Sequence, residues 1–537
     1  MSKQQTIDID QAELDALIKR LEEARDYDLT LSFRDCQLII DVLLTFGNLH
    51  EQLADNDITL KKLRKLAGIV KSSEKLKDVI SGKAKQAKKT IKQSSRKSNK
   101  PKAPPIKPEI VHHKLEAVKK GDTCPDCLKG KLYKYEPASF VRIRGQSPLQ
   151  PEKHVMERLR CNACGQFFIA DLPESVTRDG EPSQKYGHSA RSLMAISKFH
   201  TGVPYYRQGS VQDLLGVPLT ASTVFDQVEH VANVIHPVFN TFKKQAANAH
   251  QYYIDETSKR ILDQTFIEKK ARNSDKMIKR TGVYASGLIA IDKQGNVITL
   301  FQTNIGHAGE FIDEILADRS DTADAPSVMS DALSRNKPTE LKDFNYSLCN
   351  AHGRREFVSV IDHFPDEVTH ILEWYQKIWS LDQRIKRQNL SDEKRLELHK
   401  RYSMLIMQQL YDDFVQCLEE ELVEQNSGLG KAMQYFINHF EGLTQFCKVK
   451  GAPIDNNLME QALKWMVRDR KNAMFHKTIS GAAIADVITS IIATAANACV
   501  NVFEYLNTLQ RYAKEVKDCP EKFMPWNYEE ALITLSR

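Results

Sequence analysis

The stretch Gln251-Tyr252-Tyr253-Ile254-Asp255-Glu256-Thr257 decides the fold class. It follows a long helical pattern and replaces it with a short aromatic and β-branched run, which reads as a strand. That strand delivers a carboxylate, Asp255, at its end. Working outward, Val283–Ile291 and 297–301 are two more apolar runs, joined at Asp292-Lys293-Gln294-Gly295, and predict a hairpin. The segment 309–316 reads as a helix. Ser327–Ser330 reads as a fourth strand ending in Asp331, and 346–349 as a fifth, leading into Asn350-Ala351-His352-Gly353-Arg354-Arg355-Glu356-Phe357 and a helix.

A third acid lies far downstream, in Ile454-Asp455-Asn456-Asn457-Leu458-Met459-Glu460-Gln461-Ala462-Leu463-Lys464. Met459, Leu463, Met466 and Val467 recur at helical spacing, while Glu460, Lys464 and Lys471 fall on a neighbouring face. Three antiparallel strands, a helix, an acid-bearing strand and a later acid-bearing helix form the order of a ribonuclease-H-like mixed-sheet core. In such a core Asp255, Asp331 and Glu460 meet despite their separation. Hard carboxylate oxygens suit Mg²⁺ or Mn²⁺, and two such ions support in-line phosphoryl displacement. Any one of these acids alone is better read as a cap or a solvated loop end; their order favours a site. His352, Arg354 and Arg355, just past a strand end, are candidate phosphate contacts, as are Lys464, Arg468, Arg470 and Lys471 around Glu460. For Arg355 a salt bridge to Glu356 competes. Asp455 to Asn457 read as the turn and cap that set the helix.

The remainder of the 537 residues organises around this core. Residues 1–80 carry three helical stripes, among them Leu14, Leu17, Ile18 and Leu21, and Leu38, Val42, Phe46, Leu49 and Leu53, and predict an intramolecular hairpin or a dimerising coiled coil. Residues 81–110 form a basic linker: between Gly82 and Pro108 there are ten Lys or Arg and no Asp or Glu. Such a segment buries little and attracts phosphates without reading sequence, with Lys88, Lys89, Arg96 and Lys97 as candidate DNA contacts. In 111–175, Cys124-Pro-Asp-Cys127 and Cys161-Asn-Ala-Cys164 stand thirty-three residues apart. Two such pairs complete tetrahedral four-sulfur coordination of one structural Zn²⁺, predicting a zinc ribbon. Residues 184–250 are helical, with a turn at Gly216 and a helix start at Thr220 or Ser222, a helix-turn-helix-like DNA-binding pattern. The core then spans 251–365 and 451–515 around a helical insertion at 366–450, with a tail at 516–537.

Net charge is only +6, and the composition, 41% hydrophobic and 27% charged, is that of a globular chain. The most apolar stretch, from Gly481 to Phe503, is interrupted by Asp486, Thr489, Asn497 and Asn501 and reads as a buried helix. The N-terminus lacks a signal peptide's apolar core, so a cytoplasmic, nucleoid-associated protein without a membrane partner is expected.

Taken together, the four cysteines, Asp255-Glu256-Thr257, Ser330-Asp331, the 349–357 segment, Ser427-Gly-Leu-Gly-Lys431-Ala432, Ile454–Glu460 and Arg470-Lys471-Asn472 resemble the DDE transposases of the insertion-sequence-66 family, along nearly the whole chain. The resemblance implies cleavage at terminal inverted repeats and strand transfer into target DNA, with Asp255, Asp331 and Glu460 as the metal-binding triad. It also implies small accessory proteins of the same element and a homodimer or higher oligomer that pairs two ends. The sequence departs from the family where Glu460-Gln461-Ala462-Leu463-Lys464-Trp465 stands in place of the frequent Glu-Arg-Ala-Leu-Arg-Pro, and Ser258 in place of the frequent Pro. Two other readings share these residues: a zinc-dependent DNA-binding regulator with an inert core, and a nuclease without transfer activity.

Overall fold

The structure, a computed structural model, describes residues 16–21, 31–32, 34–39, 120–123, 125, 131, 147–160, 167–270, 277–341 and 343–535. The chain divides into two compact units, Met1–Lys92 and Gln93–Arg537. In the first, 16–21 and 34–39 are helical, Leu17 and Leu38 are buried, and Arg20 pairs with Asp35 at 2.8 Å. The Asp35 N–H donates to Ser32 Oγ, so Ser32 starts its helix as its residue type favours. The third predicted stripe and the basic linker, with Lys88, Lys89, Arg96 and Lys97, lie outside the described residues. So do Cys124, Cys127, Cys161 and Cys164. Around them, the antiparallel strands β1 (Arg158–Arg160) and β2 (Phe167–Ile169) bracket the second cysteine pair, and a Thr123–Lys131 bridge brackets the first.

After a single helical turn at Glu174–Thr177, the helices α1 (His188–Phe199), α2 (Tyr205–Leu214) and α3 (Ala221–Ala247) lead to the sheet. The turn between α2 and α3 uses Gly216 at φ +80°, and Thr220 caps α3 by accepting from the Thr223 N–H. Val224, Val228, Val231, Ile235, Val238 and Phe242 line one stripe of α3 and are completely buried. That stripe shares a core with the sheet, so this helical region packs on it directly.

The sheet has five strands: β3 (Gln251–Lys259), β6 (Val283–Ile291), β7 (Val297–Asn304), β8 (Ser327–Ser330) and β9 (Asn345–Leu348), in the order β7-β6-β3-β8-β9. β7, β6 and β3 are antiparallel neighbours; β8 and β9 run parallel to β3. Two short strands unread in the sequence, β4 (Ile267–Lys270) and β5 (Met277–Arg280), form a separate ribbon between β3 and β6. Helix α4 (Ala308–Leu316) packs with α3 on one face. After β9 come α5 (Asn350–Val358) and the inserted helices α6 (Pro365–Arg387), α7 (Asp392–Leu398), α8 (Met404–Glu419) and α9 (Gly428–Leu443). Helix α10 (Asn457–Ala473) covers the other face of the sheet, burying Met459, Leu463 and Met466 against Tyr253, Ala285 and Met329.

Helix α11 (Ile479–Asn497) has the length and apolarity to cross a membrane, but most of it is buried in the core. Its polar interruptions have a structural reason. Asp486, Ser490 and Thr494 recur every four residues, about 6 Å along a helix, which matches every second residue of a strand. They accept the N–H groups of Thr303, Phe301 and Thr299, closing the edge of β7 that no strand among the described residues pairs. The segment closes with α12 (Val502–Arg511), α13 (Ala513–Asp518) and α14 (Tyr528–Leu535), where Phe523, Met524 and Tyr528 are buried.

Candidate active site

Asp255 stands in mid-strand, not at the strand end expected from the sequence, because β3 continues to Lys259. Alternation puts Tyr253, Asp255, Thr257 and Lys259 on the face that carries α10. In the parallel pairing Tyr253 lies opposite Met329, so two residues further on Asp331 comes level with Asp255 on the adjacent strand. On the other side Asp255 pairs with Gly287. A side chain at Gly287 would run into the methyl group of Met459, so the missing Cβ lets α10 lie close to the sheet one residue before Glu460.

Two ties align α10 along β3. At the N-terminal end, Asn456 is fully buried and its amide donates to Ile254 O at 3.0 Å, while its backbone N–H points to Cys349 Sγ at 3.2 Å. At the other end, the buried Asp469 carboxylate takes Lys259 Nζ at 2.5 Å and Lys198 Nζ of α1. From Asp255 to Lys259 is four strand residues, about 13 Å. From Glu460 to Asp469 is nine helix residues, also about 13 Å. Anchoring the far ends together therefore brings Glu460 level with Asp255 along the strand direction.

The electrostatics agree with three gathered acids. Burial pushes the Asp255 carboxyl up to about 7; the Glu256 N–H on its Oδ1 opposes this, and the charges of Asp331 and Glu460 add to it. Asp331 Oδ1 accepts from Asn336 Nδ2 at 2.6 Å and from the Leu333 N–H at 3.2 Å. Glu460 Oε1 lies 3.4 Å from an Arg355 guanidinium nitrogen and 3.7 Å from His352 Nδ1. Arg355 thus faces Glu460, not Glu356. His352 Nδ1 is buried without a hydrogen-bond partner, and burial, then Arg355, lowers its imidazole pKa. In each of the three carboxylates the described hydrogen bonds fall on one oxygen, which leaves hard oxygen donors of the kind Mg²⁺ takes.

Among the described residues, the potential metal ligands whose donor atoms come within 4.8 Å of one another are Cys349, His352 and Glu460; Asp255 and Asp331 stand outside that group. Burial pushes the Cys349 thiol up to about 12, and it already accepts the Asn456 N–H, so it serves as a brace and remains a soft, protonated group. Glu256 points to the opposite face of the sheet. There its buried carboxylate takes Arg335 at 2.9 Å, His307 at 3.1 Å and the Ala308 N–H that opens α4.

The basic track on α10 divides in two. Arg468 is turned onto His200 O, and Arg470 donates to Thr257 Oγ1 and to Ser258, so both fasten α10 to its neighbours. Lys464 and Lys471 stay exposed. Arg355 is more than half exposed beside Glu460, whereas burial lowers the Arg354 pKa. Asp455 accepts from Trp379 Nε1 of the insertion at 3.2 Å and from the Asn457 N–H. Within that insertion, Asp382, His399 and Ser403 form a hydrogen-bonded chain, but all three are buried, which makes it a structural tie.

The sequence profile described as "Transposase IS66 family" matches residues 184–484, which include all three acids and both ties. The chain belongs to this family. Among relatives of this IS66-family transposase, uncharacterized protein y4jD of Sinorhizobium fredii (strain NBRC 101917 / NGR234) is 23% identical over 426 residues, 75% of this chain and 78% of its own length. Uncharacterized protein y4hP of the same organism is 21% identical over 447 residues, 79% of this chain and 76% of its own. The sequence reading missed Asn336, Lys198, Lys259 and Asp469 in the transposase. A buried acid in an Arg-Asp-Arg run reads as surface, and only the fold brings two lysines to it.

Proposed function

We propose that this protein is a DDE transposase with a ribonuclease-H-like core, which binds the terminal inverted repeats of its element and cuts and joins DNA at Asp255, Asp331 and Glu460. The observation that supports the reading is the alignment of α10 on β3, which brings Glu460 level with a carboxyl whose pKa is raised by burial and by the charges of Asp331 and Glu460. The three carboxylates would hold Mg²⁺ or Mn²⁺, as two ions, which supply activation of water or a 3′-hydroxyl and charge stabilisation at phosphorus. The protein's own part is positional. Asn336 fixes the orientation of Asp331, Arg355 and His352 steer Glu460, and Arg355, Lys464 and Lys471 are the exposed cations for phosphate.

Cys124, Cys127, Cys161 and Cys164 would hold one structural Zn²⁺, with β1–β2 forming the hairpin that presents the second pair. The α2–α3 turn and the linker cations Lys88, Lys89, Arg96 and Lys97 would add DNA contacts. Substrates are transposon-end and target DNA, handled by a homodimer or larger assembly in the cytoplasm, with accessory proteins of the same element. The test is incubation with Mg²⁺ and DNA bearing the element's ends, comparing wild type with Glu460→Gln and Asp255→Asn. Loss of cleavage and joining in both variants is expected; wild-type activity in either would refute the assignment of that acid.

A further inference from the structure

Four residues beyond Asp255 the chain leaves the sheet as the β4–β5 ribbon, paired from Ile267–Arg280 to Lys270–Met277. Strand alternation places Phe266, Glu268, Met277 and Lys279 on one face and Ile267, Ile278 and Arg280 on the other. Lys279 lies over the Phe266 ring and Arg280 turns onto Glu310 at 2.6 Å, yet Phe266, Ile267, Met277 and Ile278 remain 52, 40, 57 and 37% exposed. A two-stranded ribbon is marginal in water by itself, and apolar side chains bare on both faces call for a partner. Charge indicates which kind. Residues 267–280 hold six cations (Lys269, Lys270, Arg272, Lys276, Lys279, Arg280) and two acids (Glu268, Asp275), a net +4 on a chain whose total is +6.

The root of the ribbon is fastened to the end of α10. Ile261 bridges to His476, the Leu262 N–H donates to His476 O at 3.0 Å, and the His476 N–H donates to Arg260 O at 2.8 Å. This brings Met474 and Phe475, 71 and 42% exposed, to the same end, flanked by the exposed Lys471 and Lys477. Met474 has φ +66°, a backbone conformation that a bulky side chain adopts at a cost. From Glu460 to Met474 is fourteen helical residues, about 21 Å, or about six base pairs of duplex.

We propose that the β4–β5 ribbon, with Met474 and Phe475, is a duplex-DNA grip about six base pairs from the carboxylates, the ribbon fitting the major groove and Lys269, Lys270 and Lys279 meeting phosphates. This rests on the reading that the substrate is DNA. A second copy fits worse, because a two-fold contact would set +4 against +4.

The test uses full-length protein without metal and a fluorescein-labelled 40-base-pair duplex of random sequence, titrated from 50 to 200 mM salt. Lys269→Glu, Lys270→Glu and Lys279→Glu together should weaken binding at least tenfold at 50 mM salt and flatten the log–log salt slope by about 2 to 3. Phe475→Ala should weaken binding several-fold with the slope unchanged. Lys279 and Phe475 are exposed, and both variants should melt like wild type. Affinity and slope within twofold of wild type would overturn the grip. So would a triple variant that loses self-association at unchanged DNA affinity, since the ribbon would then join copies. Glu460→Gln, run in parallel, should bind like wild type; if that variant still cuts element ends, the catalytic assignment fails while the grip stands.

Discussion

Replacing Asp469 by Asn should destabilise this protein far more than an ordinary polar swap on a helix. Asp469 lies on the buried side of α10, with Lys198 and Lys259 both nearly inaccessible and both on its oxygens. Burial pushes its pKa up, but the charges and hydrogen bonds of Lys259 and Lys198 outweigh this and hold the carboxyl well below its ordinary value. His476, 3.7 Å away, adds no charge at neutral pH, because burial and Lys259 push it down to about 4. The cluster therefore holds two cations and one anion. Asparagine keeps the shape but leaves two buried ammonium groups without a counter-charge, and breaking a buried pair in this way costs about 3–5 kcal/mol. With a urea m-value of about 3 kcal/mol/M, the unfolding midpoint should fall by about 1–1.7 M. The carboxylate's contribution is fully present above the unfolded-state pKa of about 3.9 and is lost only as pH falls through its lower folded value. Burial lowers the Lys259 pKa even with Asp469 present, so in the variant the buried ammonium groups lose protons more readily as pH rises, and the deficit should be larger at pH 6 than at pH 8. Replacing the cluster whole (Lys198→Met, Lys259→Met, Asp469→Leu) should recover most of the loss. A midpoint shift below about 0.3 M for Asp469→Asn, roughly 1 kcal/mol, would refute the reasoning.

Other outcomes follow from the same geometry. Gly287→Ala places a methyl group against Met459 and should cost about 1–3 kcal/mol by overpacking, relieved by adding Met459→Ala; equal melting curves for Gly287→Ala and wild type would count against the close approach of α10. Burial raises the carboxyls of both Asp255 and Asp486 to about 7, so the metal-free folded state binds more protons than the unfolded chain, and its stability should fall as pH rises from about 4 to about 7. Mg²⁺ affinity, measured calorimetrically, should strengthen over that range as the proton on Asp255 becomes easier to displace, then level off; Asp255→Asn should abolish this trend and keep the stability trend due to Asp486. Metal analysis should find about one zinc per chain, lost in Cys161→Ser; a full zinc content in that variant would remove Cys161 from the ligand set.

Much of the core was legible because its signals are local. The strand runs at 251, 283 and 297 and the acid-bearing strand before Asp331 each carry their own apolar period, and the observed strands follow them. The stripe Met459, Leu463 and Met466 predicted the buried side of α10. What failed to show was long-range. Asn456 read as a cap, yet its side chain caps nothing and instead reaches a strand two hundred residues earlier. Arg468 and Arg470 looked like phosphate contacts because a basic helix face has the same sequence whether it meets solvent or a neighbouring loop. The β4–β5 ribbon mixes apolar and charged side chains on both faces and so lacks the alternation that marks a half-buried strand.

The 128 residues between Asp331 and Glu460 raise the question of what keeps the third acid in register, since so long an excursion fixes nothing by chain connectivity. The answer lies in contacts from both sides of the insertion's return. Asn350, at the start of α5, donates to Leu443 O at the end of α9 and to Ile454 O just before α10, so the chain leaves and re-enters the core through one buried amide. Two residues on, Asn456 ties to β3, and thirteen residues after that Asp469 ties to β3 again. With its entry and both ends held, α10 cannot slide by a turn without breaking a buried ion pair or leaving buried amides unpaired, each costing more than surface contacts could return. The insertion is then free to vary in length and to lean on the core through Trp379 and Asp455 without moving Glu460.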